Sequence, residues 1–202
     1  MTTIAFPVLT AKPTQYAFGQ NNNSALNTSP MSGSTQTIEM PGARWTLAIG
    51  YINVISPDRG RLSAFLAAMR GMANRVALYD IVHSIPAGTM RGTITTVGVT
   101  AAGAISVALT AGSGQAGTTL LMGDKLNIGG ELKMVVADAT ADGSGNVTVT
   151  IEPPMRNQVA GGASVVWNQP TALFMLTSPK WKEDVALGDW TSYTIDLVES
   201  FS

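Results

Sequence analysis

The sequence predicts a mainly β protein in which a small β-domain interrupts a larger host domain. Residues 92–169 are rich in Gly, Ala, Thr and Val and contain one aromatic residue, Trp167, whereas every other Trp, Tyr and Phe lies in the flanking segments. Short apolar segments separated by glycine-rich turns recur in this block, as is typical of small barrels and sandwiches. The flanking segments, 1–91 and 170–202, are therefore predicted to meet in one discontinuous domain.

Length and composition limit the classes of protein to which the chain can belong. It has 202 residues, of which 45% are hydrophobic and 12% charged, and its net charge is -1. This argues against disorder and against a strongly basic nucleic-acid-binding protein, and the low charge favours association. The absence of cysteine excludes disulfides and thiolate metal sites. We expect a soluble chain made in the cytosol without membrane insertion, because no signal peptide or transmembrane-length run is recognisable.

The first host segment is predicted to contain a long loop, a hairpin and a strand. Residues 19–34 are mostly Asn, Ser, Thr and Gly and predict a loop that a partner would order. Residues 35–40 then lead into a turn at Pro41 and Gly42. Large apolar residues alternate with smaller ones after this turn, at Trp45, Leu47, Ile49 and Tyr51. The alternation predicts a half-buried strand, and the turn before it predicts a hairpin.

One segment has the signals of an α-helix. Ser56 suits the N-cap, Pro57 the first helical position, and Asp58 the positive end of the helix dipole. Four apolar residues follow at i, i+3, i+4 and i+7, namely Leu62, Phe65, Leu66 and Met69. They form one stripe that is expected to face the core. Gly71 after Arg70 predicts the C-terminal end of the helix.

The remaining elements are predicted to be strands. In the host domain these are residues 76–79, an apolar run at 173–176, and a final strand with alternating apolar residues at Tyr193, Ile195 and Leu197. The final strand is expected to pair with the first host strands, because chain ends are often close in space. Within the inserted block, the segments with strand composition are 92–97, 105–109, 133–136, 147–151 and 164–167.

Three patterns resemble catalytic or ligand sites but lack the context that such sites need. Residues 112–117 match G-x-G-x-x-G, yet no helix is predicted after them, so a hairpin loop is the better interpretation. His83 is the only histidine, which excludes a His-based metal cluster, and no G-x-S-x-G motif supports a triad. Asp138, Asp142 and Gly143 lack the spacing of a calcium loop. We therefore predict no enzyme activity, no catalytic residue, no metal and no cofactor.

Two groups of residues are predicted to contact partners. Trp181 lies between Lys180 and Lys182, and these basic neighbours indicate an exposed contact surface. Asn22 and Asn23 belong to the polar segment that a partner would order. These five residues are the candidate surface contacts of the chain.

The tryptophans leave a second class of function open. Of the four, Trp45 is predicted to lie in the core, which leaves Trp181 and Trp190 as candidates for a platform that stacks on sugar rings. The alternative function is therefore a carbohydrate-binding β-sandwich module. A nucleotide-dependent enzyme that uses residues 112–117 is a further alternative.

Three segments, taken in order, resemble tail-tip proteins of long-tailed bacteriophages, of the distal-tail (baseplate hub) type. The first is GARW at 42–45. The second is FLAAMRGMANR at 65–75 followed by LYD at 78–80, and the third runs from LMGD at 121–124 to IEPPMR at 151–156. The second and third are similar to phage tail sequences in which an "aFL..lRG..n.f.L.D" region precedes a "GD…G…v.i.PplR" region.

The resemblance implies a β-sandwich belt domain with one helix, which assembles as a ring, usually hexameric, at the end of the tail tube. Some members insert a small barrel resembling an oligonucleotide-binding (OB) fold, and residues 92–169 lie at that place. The implied protein is a structural virion component made in the host bacterial cytoplasm. Its partners would be its own copies, the tail tube protein, and hub and tail-fibre proteins. DNA would only pass through the lumen, and another tail role, as tube or tail-completion protein, stays open.

Overall fold

The computed structural model describes residues 1–186 and 190–201. The described chain is mainly β, with 44% strand, one α-helix and a closed barrel, so the predicted fold class is confirmed at this level. Two compact units can be separated, one formed by Met1–Ala77 with Leu173–Ser202 and the other by Leu78–Ala172. The β-sandwich stays a prediction.

The described elements include a short 3-10 helix at Ser113–Gln115. The strands and the α-helix are β1 (Thr3–Ile4), β2 (Gln15–Asn21), β3 (Ser24–Thr28), β4 (Thr35–Glu39), β5 (Arg44–Val54), α1 (Asp58–Met69), β6 (Arg75–Tyr79), β7 (Ile94–Thr96), β8 (Ser106–Thr110), β9 (Thr119–Leu120), β10 (Lys125–Ile128), β11 (Glu131–Val135), β12 (Ala139–Thr140), β13 (Asn146–Glu152), β14 (Ser164–Val166), β15 (Thr171–Leu176), β16 (Asp184–Ala186) and β17 (Trp190–Glu199).

The first unit contains a seven-stranded sheet to which both ends of the chain contribute. Its order is β1-β6-β15-β17-β5-β2, and β16 also pairs with β17. The last strand, β17, is antiparallel to β5, with Ile195 opposite Ile49 and Leu197 opposite Leu47. The predicted pairing of the final strand with the first host strands is therefore confirmed.

The core of the first unit lies between one face of this sheet and α1. The alternating residues predicted for β5 and β17 are buried, and so is the whole apolar stripe of the helix. Phe65 of the helix also contacts Phe6 edge to face, with 5.1 Å between ring centroids. Outside this apolar stripe, Ser63 of the helix forms a hydrogen bond with the hydroxyl of Tyr193 on β17, with 2.8 Å between the two oxygens.

The start of the helix differs from the prediction. Pro57 itself occupies the N-cap position and no side chain caps the helix, so the predicted Ser56 cap is wrong. Ser56 lies one residue too early to reach the first helical N–H groups. Asp58 instead accepts hydrogen bonds from the backbone N–H groups of Thr10 and Ala11, both at 2.7 Å, and so fixes the N-terminal segment beside the helix. The helix ends at Met69, as predicted from Gly71.

Two predictions for the first host segment are wrong. Residues 19–34 are not one loop, because β2 extends to Asn21 and β3 begins at Ser24. The predicted hairpin between 35–40 and the Trp45 strand does not form either, since β4 pairs with β3. Every residue of β3 and β4 is exposed. A strand pair with no buried face has no apolar alternation, so the sequence contains no signal for it.

The second unit is built on a closed six-stranded barrel with the order β10-β11-β13-β8-β7-β14. All six neighbouring pairs are antiparallel. Strand β14 returns to lie beside β10, which gives the β10, β11, β13 and β14 segment a Greek-key order. The interior is apolar and includes Val107, Leu109, Leu126, Val149 and Ile151. The barrel predicted for the inserted block is thus present, and β10 is a barrel strand that was not predicted from the sequence.

The bounds of this unit are wider than the predicted insertion at 92–169. Residues 80–91 belong to it because two buried carboxylates attach them to the barrel. Lys125 donates a hydrogen bond to Asp80, and Asp124 accepts from the backbone N–H groups of Ala87 at 2.6 Å and Gly88 at 3.1 Å.

Candidate assembly interface

The most distinctive surface of the first unit is a two-stranded ribbon, residues 22–43, which we call the arm. It continues the β2–β5 pair outward from the sheet. Asn21 pairs with Arg44 at the end of the sheet, and Met40 N–H then donates to the carbonyl of Asn23 at 2.8 Å. Strands β3 and β4 extend the ribbon, and residues 29–34 connect them at its tip.

The arm exposes apolar side chains on both faces. Leu26 lies on one face and is 67% exposed, while Ile38 and Met40 share the other face and are 52% and 42% exposed. Met31 at the tip is 98% exposed. An isolated two-stranded hairpin is only marginally stable in water, and covering apolar surface stabilises by about 25 cal/mol per Å². The arm is therefore an element that gains stability when another surface covers it.

A polar cavity of about 360 Å³ lies at the base of the arm. Its lining consists of Asn21, Asn22, Asn23, Pro41, Gly42 and Arg44. Asn23 donates to the carbonyl of Pro41 at 3.1 Å, and the Asn22 side-chain oxygen accepts from Gln20 at 2.6 Å. The lining thus holds amides and one guanidinium but no carboxylate, which suits an incoming carboxylate or carbonyl oxygen. The structure therefore places the predicted contacts Asn22 and Asn23 together at the base of the arm.

The other predicted contacts lie in the connection between β15 and β16. Lys180, Trp181 and Lys182 are all exposed, and Trp181 exposes 41% of its surface. Lys182 pairs with Asp184 at 3.1 Å, while the backbone N–H of Lys180 donates to Ser178. These three residues and the asparagines at the base of the arm are held by different elements of the same unit.

A cluster of hydrogen bonds around Glu183 fixes the segment that carries Trp181. The Glu183 carboxylate accepts from the Tyr193 hydroxyl at 2.8 Å and from the Ser63 hydroxyl at 2.9 Å, and Arg59 lies 3.5 Å away. Hydrogen bonds from Tyr193 and Ser63, with the charge of Arg59, hold the pKa of Glu183 below its usual range. Burial, aided by the neighbouring carboxylate, raises the pKa of Tyr193. A lowered carboxyl pKa and a raised phenol pKa suit an anchor rather than a general base at neutral pH.

The glycine-rich segment 112–117 forms a loop in the second unit. It links β8 to β9 through the 3-10 helix, and no α-helix follows it in the described residues. These two strands do not pair with each other, so the predicted hairpin loop is wrong in that detail. A side chain at Gly145 would place its Cβ 1.8 Å from the carbonyl oxygen of Gly112, so the loop packs directly on the 142–146 turn.

The isolated titratable residues singled out in the sequence have local structural roles. His83 lies 3.1 Å from the Asp80 carboxylate, and its side chain is mostly exposed. Asp142 accepts from the backbone N–H groups of Ser144 at 2.8 Å and Asn146 at 2.9 Å, which is the predicted turn. No cluster of three or more potential metal ligands occurs among residues 1–186 and 190–201.

Two buried carboxylates of the second and third motifs, Asp80 and Glu131, lie inside the second unit. Burial alone would raise the pKa of Asp80, but hydrogen bonds from Lys125 and the backbone N–H of Val82 hold it below its usual value. Arg156 and its neighbour Asn157 donate backbone N–H bonds to Glu131, each at 2.9 Å. These motif positions therefore maintain the barrel and the segment leading into it, which the sequence alone did not reveal.

Comparison with known proteins adds no family to this description. Neither protein-family models nor curated protein sequences give a match for the chain. In the described part of the chain, no helix combines the length and hydrophobicity required to cross a bilayer.

Proposed function

We propose that the chain is a structural subunit of the tail tip of a long-tailed bacteriophage. In this proposal it forms a ring that joins the tail tube to the hub and fibre proteins and surrounds the DNA channel. The observation that carries the proposal is the arm, a ribbon whose strands are exposed on both faces and bear Leu26 and Ile38. Such a ribbon suits a protein that functions in an assembly.

Ring formation needs two different surfaces on each subunit that meet by rotation. The arm is one such surface, and covering it on the next copy would bury its apolar side chains. The cavity at its base, with Asn22, Asn23 and Arg44, lies beside that contact and suits carboxylate or carbonyl groups of the neighbour. A hexamer is the ring order that we propose from the family resemblance, with the virion tail tip as its location.

The finer fold assignment belongs to the same proposal. The seven-stranded sheet with α1 would be the belt, and a β-sandwich would require a second layer against the sheet. The proposed likeness of the barrel to an OB fold is limited to its being a small Greek-key barrel. The two differ in strand number, since this barrel has six strands and the OB fold has five. A barrel of this kind does not by itself imply nucleic-acid binding.

Imaging tests the proposal directly. The purified chain is mixed with tail tubes and with hub protein and examined by negative-stain electron microscopy. We expect closed rings of uniform diameter, at one end of the tube or bridging tube and hub. A chain that remains monomeric with both components contradicts the proposal. Rings that stack along the tube would instead favour the role of a tube protein, and rings at its opposite end that of a completion protein.

A carbohydrate-binding module is the second candidate, and the exposure of two tryptophans favours it. Trp181 is 41% exposed and Trp190 46% exposed, and flat aromatic faces on a β-scaffold can stack on sugar rings. A glycan array decides this point. Binding that is lost in Trp181→Ala or Trp190→Ala supports the module, whereas an array without hits removes it.

A further inference from the structure

The exit of α1 touches the connection between β15 and β16. A Cβ built on Gly71 would lie 3.0 Å from the Cα of Pro179 and 3.1 Å from its carbonyl oxygen. Gly71 has a φ of 63°, so glycine suits this position both in conformation and in space. The two chain segments therefore meet backbone to backbone, which brings the residues on either side of Gly71 close in space to those that follow Pro179.

Four exposed residues flank this contact, and we call them the exit patch: Arg70, Met72, Lys180 and Trp181. Two of them are large apolar or aromatic side chains that remain 43% (Met72) and 41% (Trp181) exposed. The other two are cations. The patch thus combines positive charge with apolar surface. Its members lie up to 111 residues apart in the sequence, and the contact between Gly71 and Pro179 brings their segments together.

The two cations of the exit patch have no carboxylate partner in the described residues, whereas their neighbours do. Lys182 pairs with Asp184, and Arg59 pairs with Glu183. Glu183 also accepts the hydroxyl hydrogen bonds that fix its segment. Within residues 1–186 and 190–201, Arg70 and Lys180 make no ion pair, so their charge is available to a ligand of opposite sign.

The aromatic member of the patch is preorganised. Glu183, two residues after Trp181, is bonded to Ser63 of the helix, and Pro179, two residues before it, contacts Gly71. A short segment fixed on both sides loses little conformational entropy when a partner binds. Trp and Arg are also the residues that most often carry the binding energy of protein interfaces.

We infer that the exit patch binds a short acidic segment of a partner protein. Two carboxylates of that segment would pair with Arg70 and Lys180, and an apolar side chain between them would pack on Trp181 and Met72. A protein partner fits better than a nucleic acid, because two cations neutralise too few phosphates for a stable complex. The inference rests on the proposed function only in placing this partner within the tail.

Binding of a model peptide to the full chain tests the inference. The probe is a fluorescein-labelled Glu-Glu-Leu-Glu-Glu peptide. A labelled Gln-Gln-Leu-Gln-Gln peptide is the neutral comparison and a labelled oligothymidylate is the nucleic-acid comparison, and the binding of each is measured by fluorescence anisotropy at low salt. We expect the acidic peptide to bind and its neutral analogue not to bind. Arg70→Glu with Lys180→Glu should weaken binding at least about tenfold, since it removes two charge-assisted contacts and introduces repulsion. Trp181→Ala should weaken it by a similar factor.

Lys12→Glu is the matched control, because Lys12 is an exposed cation of the same unit and lies outside the patch. It should bind the acidic peptide like the unmodified chain. Equal binding by the patch variant and the control overturns the inference, as does tighter binding of the oligothymidylate than of the peptide. Thermal melting of each variant shows whether a loss reflects unfolding, and Lys180→Gln, a milder change, then replaces the double variant. Because the assay uses the isolated chain, its result is independent of ring formation.

Discussion

The hydroxyl of Tyr193 donates a hydrogen bond to the carboxylate of Glu183, with 2.8 Å between the two oxygens. Tyr193 lies on β17, in the sheet, whereas Glu183 lies in the connection that carries Trp181. Ser63 of α1 donates to the same carboxylate oxygen at 2.9 Å. One carboxylate therefore ties together a strand, the helix and an exposed connection, and its protonation state controls that link.

Replacing Glu183 by Gln should reduce the acid sensitivity of folding. The pKa of Glu183 is lowered in the folded chain, so its contribution is full above the ordinary glutamate pKa of about 4.3. That contribution is lost as the pH falls through the lowered folded value. The urea midpoint of the unmodified chain should therefore fall more steeply between about pH 5 and pH 3 than that of Glu183→Gln.

Asp184→Asn is the control for this measurement, because Asp184 forms only an exposed pair with Lys182. Exposed pairs contribute little, so its profile should follow that of the unmodified chain. Parallel profiles for Glu183→Gln and the unmodified chain would contradict the anchoring role of Glu183.

Glu131→Gln should strongly destabilise the barrel. Burial would raise the pKa of Glu131, but Lys133 and the backbone N–H of Arg156 outweigh it and hold the pKa low. Lys133 lies 2.7 Å from this carboxylate and is itself fully buried. The neutral side-chain amide of glutamine cannot balance the charge of the Lys133 ammonium group. Its NH₂ group can also face the backbone N–H of Arg156, so that two hydrogen-bond donors would meet. We expect a loss of about 3 kcal/mol in the free energy of unfolding, measured in urea at neutral pH.

The same substitution at Glu152 serves as the comparison. Glu152 lies opposite Met134 on the neighbouring strand and is half-buried, without the ion pairs of Glu131. Its replacement by Gln should change stability by less than about 0.5 kcal/mol. A loss of equal size in both variants would show that the charge of Glu131 is not what stabilises the barrel.

The parts of the fold that the sequence predicts are those with one buried face. Trp45 and Leu47 alternate with smaller residues because β5 lies between a core and an open side, and Leu62 and Phe65 repeat at helical spacing because α1 packs on that core. Such periodicities are direct consequences of burial and are visible in any sequence that has them. The barrel is predicted on other grounds, from the recurrence of short apolar segments between glycine-rich turns in residues 92–169.

Elements without that asymmetry escape prediction. The strands of the arm are exposed on both faces, so they resemble a polar loop in composition. Strand β10 begins with a buried lysine, Lys125, which forms an ion pair with Asp80 in the folded chain. Asp80 is distant in the sequence, so nothing near Lys125 indicates that this lysine is buried. Exposure of Trp181 was predicted from its basic neighbours. The approach of its segment to the end of α1 was not predicted, because it depends on the contact between Gly71 and Pro179.

Gly145→Ala should destabilise the second unit. Gly145 has a φ of 79°, and an added Cβ would lie 1.8 Å from the carbonyl oxygen of Gly112. The left-handed conformation alone costs about 1 kcal/mol for alanine, and relief of the clash must shift backbone. We expect a total loss above about 2 kcal/mol in urea denaturation. Gly143 lies in the same turn with open space around it, so Gly143→Ala should change the free energy of unfolding little. Equal losses of stability in the Gly143→Ala and Gly145→Ala variants would show that Gly112 and Gly145 do not pack so closely.

Removal of the arm should separate folding from assembly. Because every residue of β3 and β4 is exposed, replacing residues 24–39 by a short Gly-Ser linker removes no core contact. The free energy of unfolding of the isolated chain should change by less than about 0.5 kcal/mol, whereas ring formation should be lost. Leu26→Ser with Ile38→Ser, which keeps the ribbon but removes apolar surface, should weaken assembly in the same direction.

Sedimentation velocity and urea denaturation of these variants provide the two readouts. A variant that exchanges only the tip, residues 31–33, for Gly-Ser-Gly is the control and should assemble more readily than the armless chain, because the strands that carry Leu26 and Ile38 are retained. If the armless chain still forms rings, the subunit contacts must lie on the sheet or on the barrel instead. If it fails to fold, then the arm contributes to stability within its own chain, and its exposure would not mark it as an assembly element.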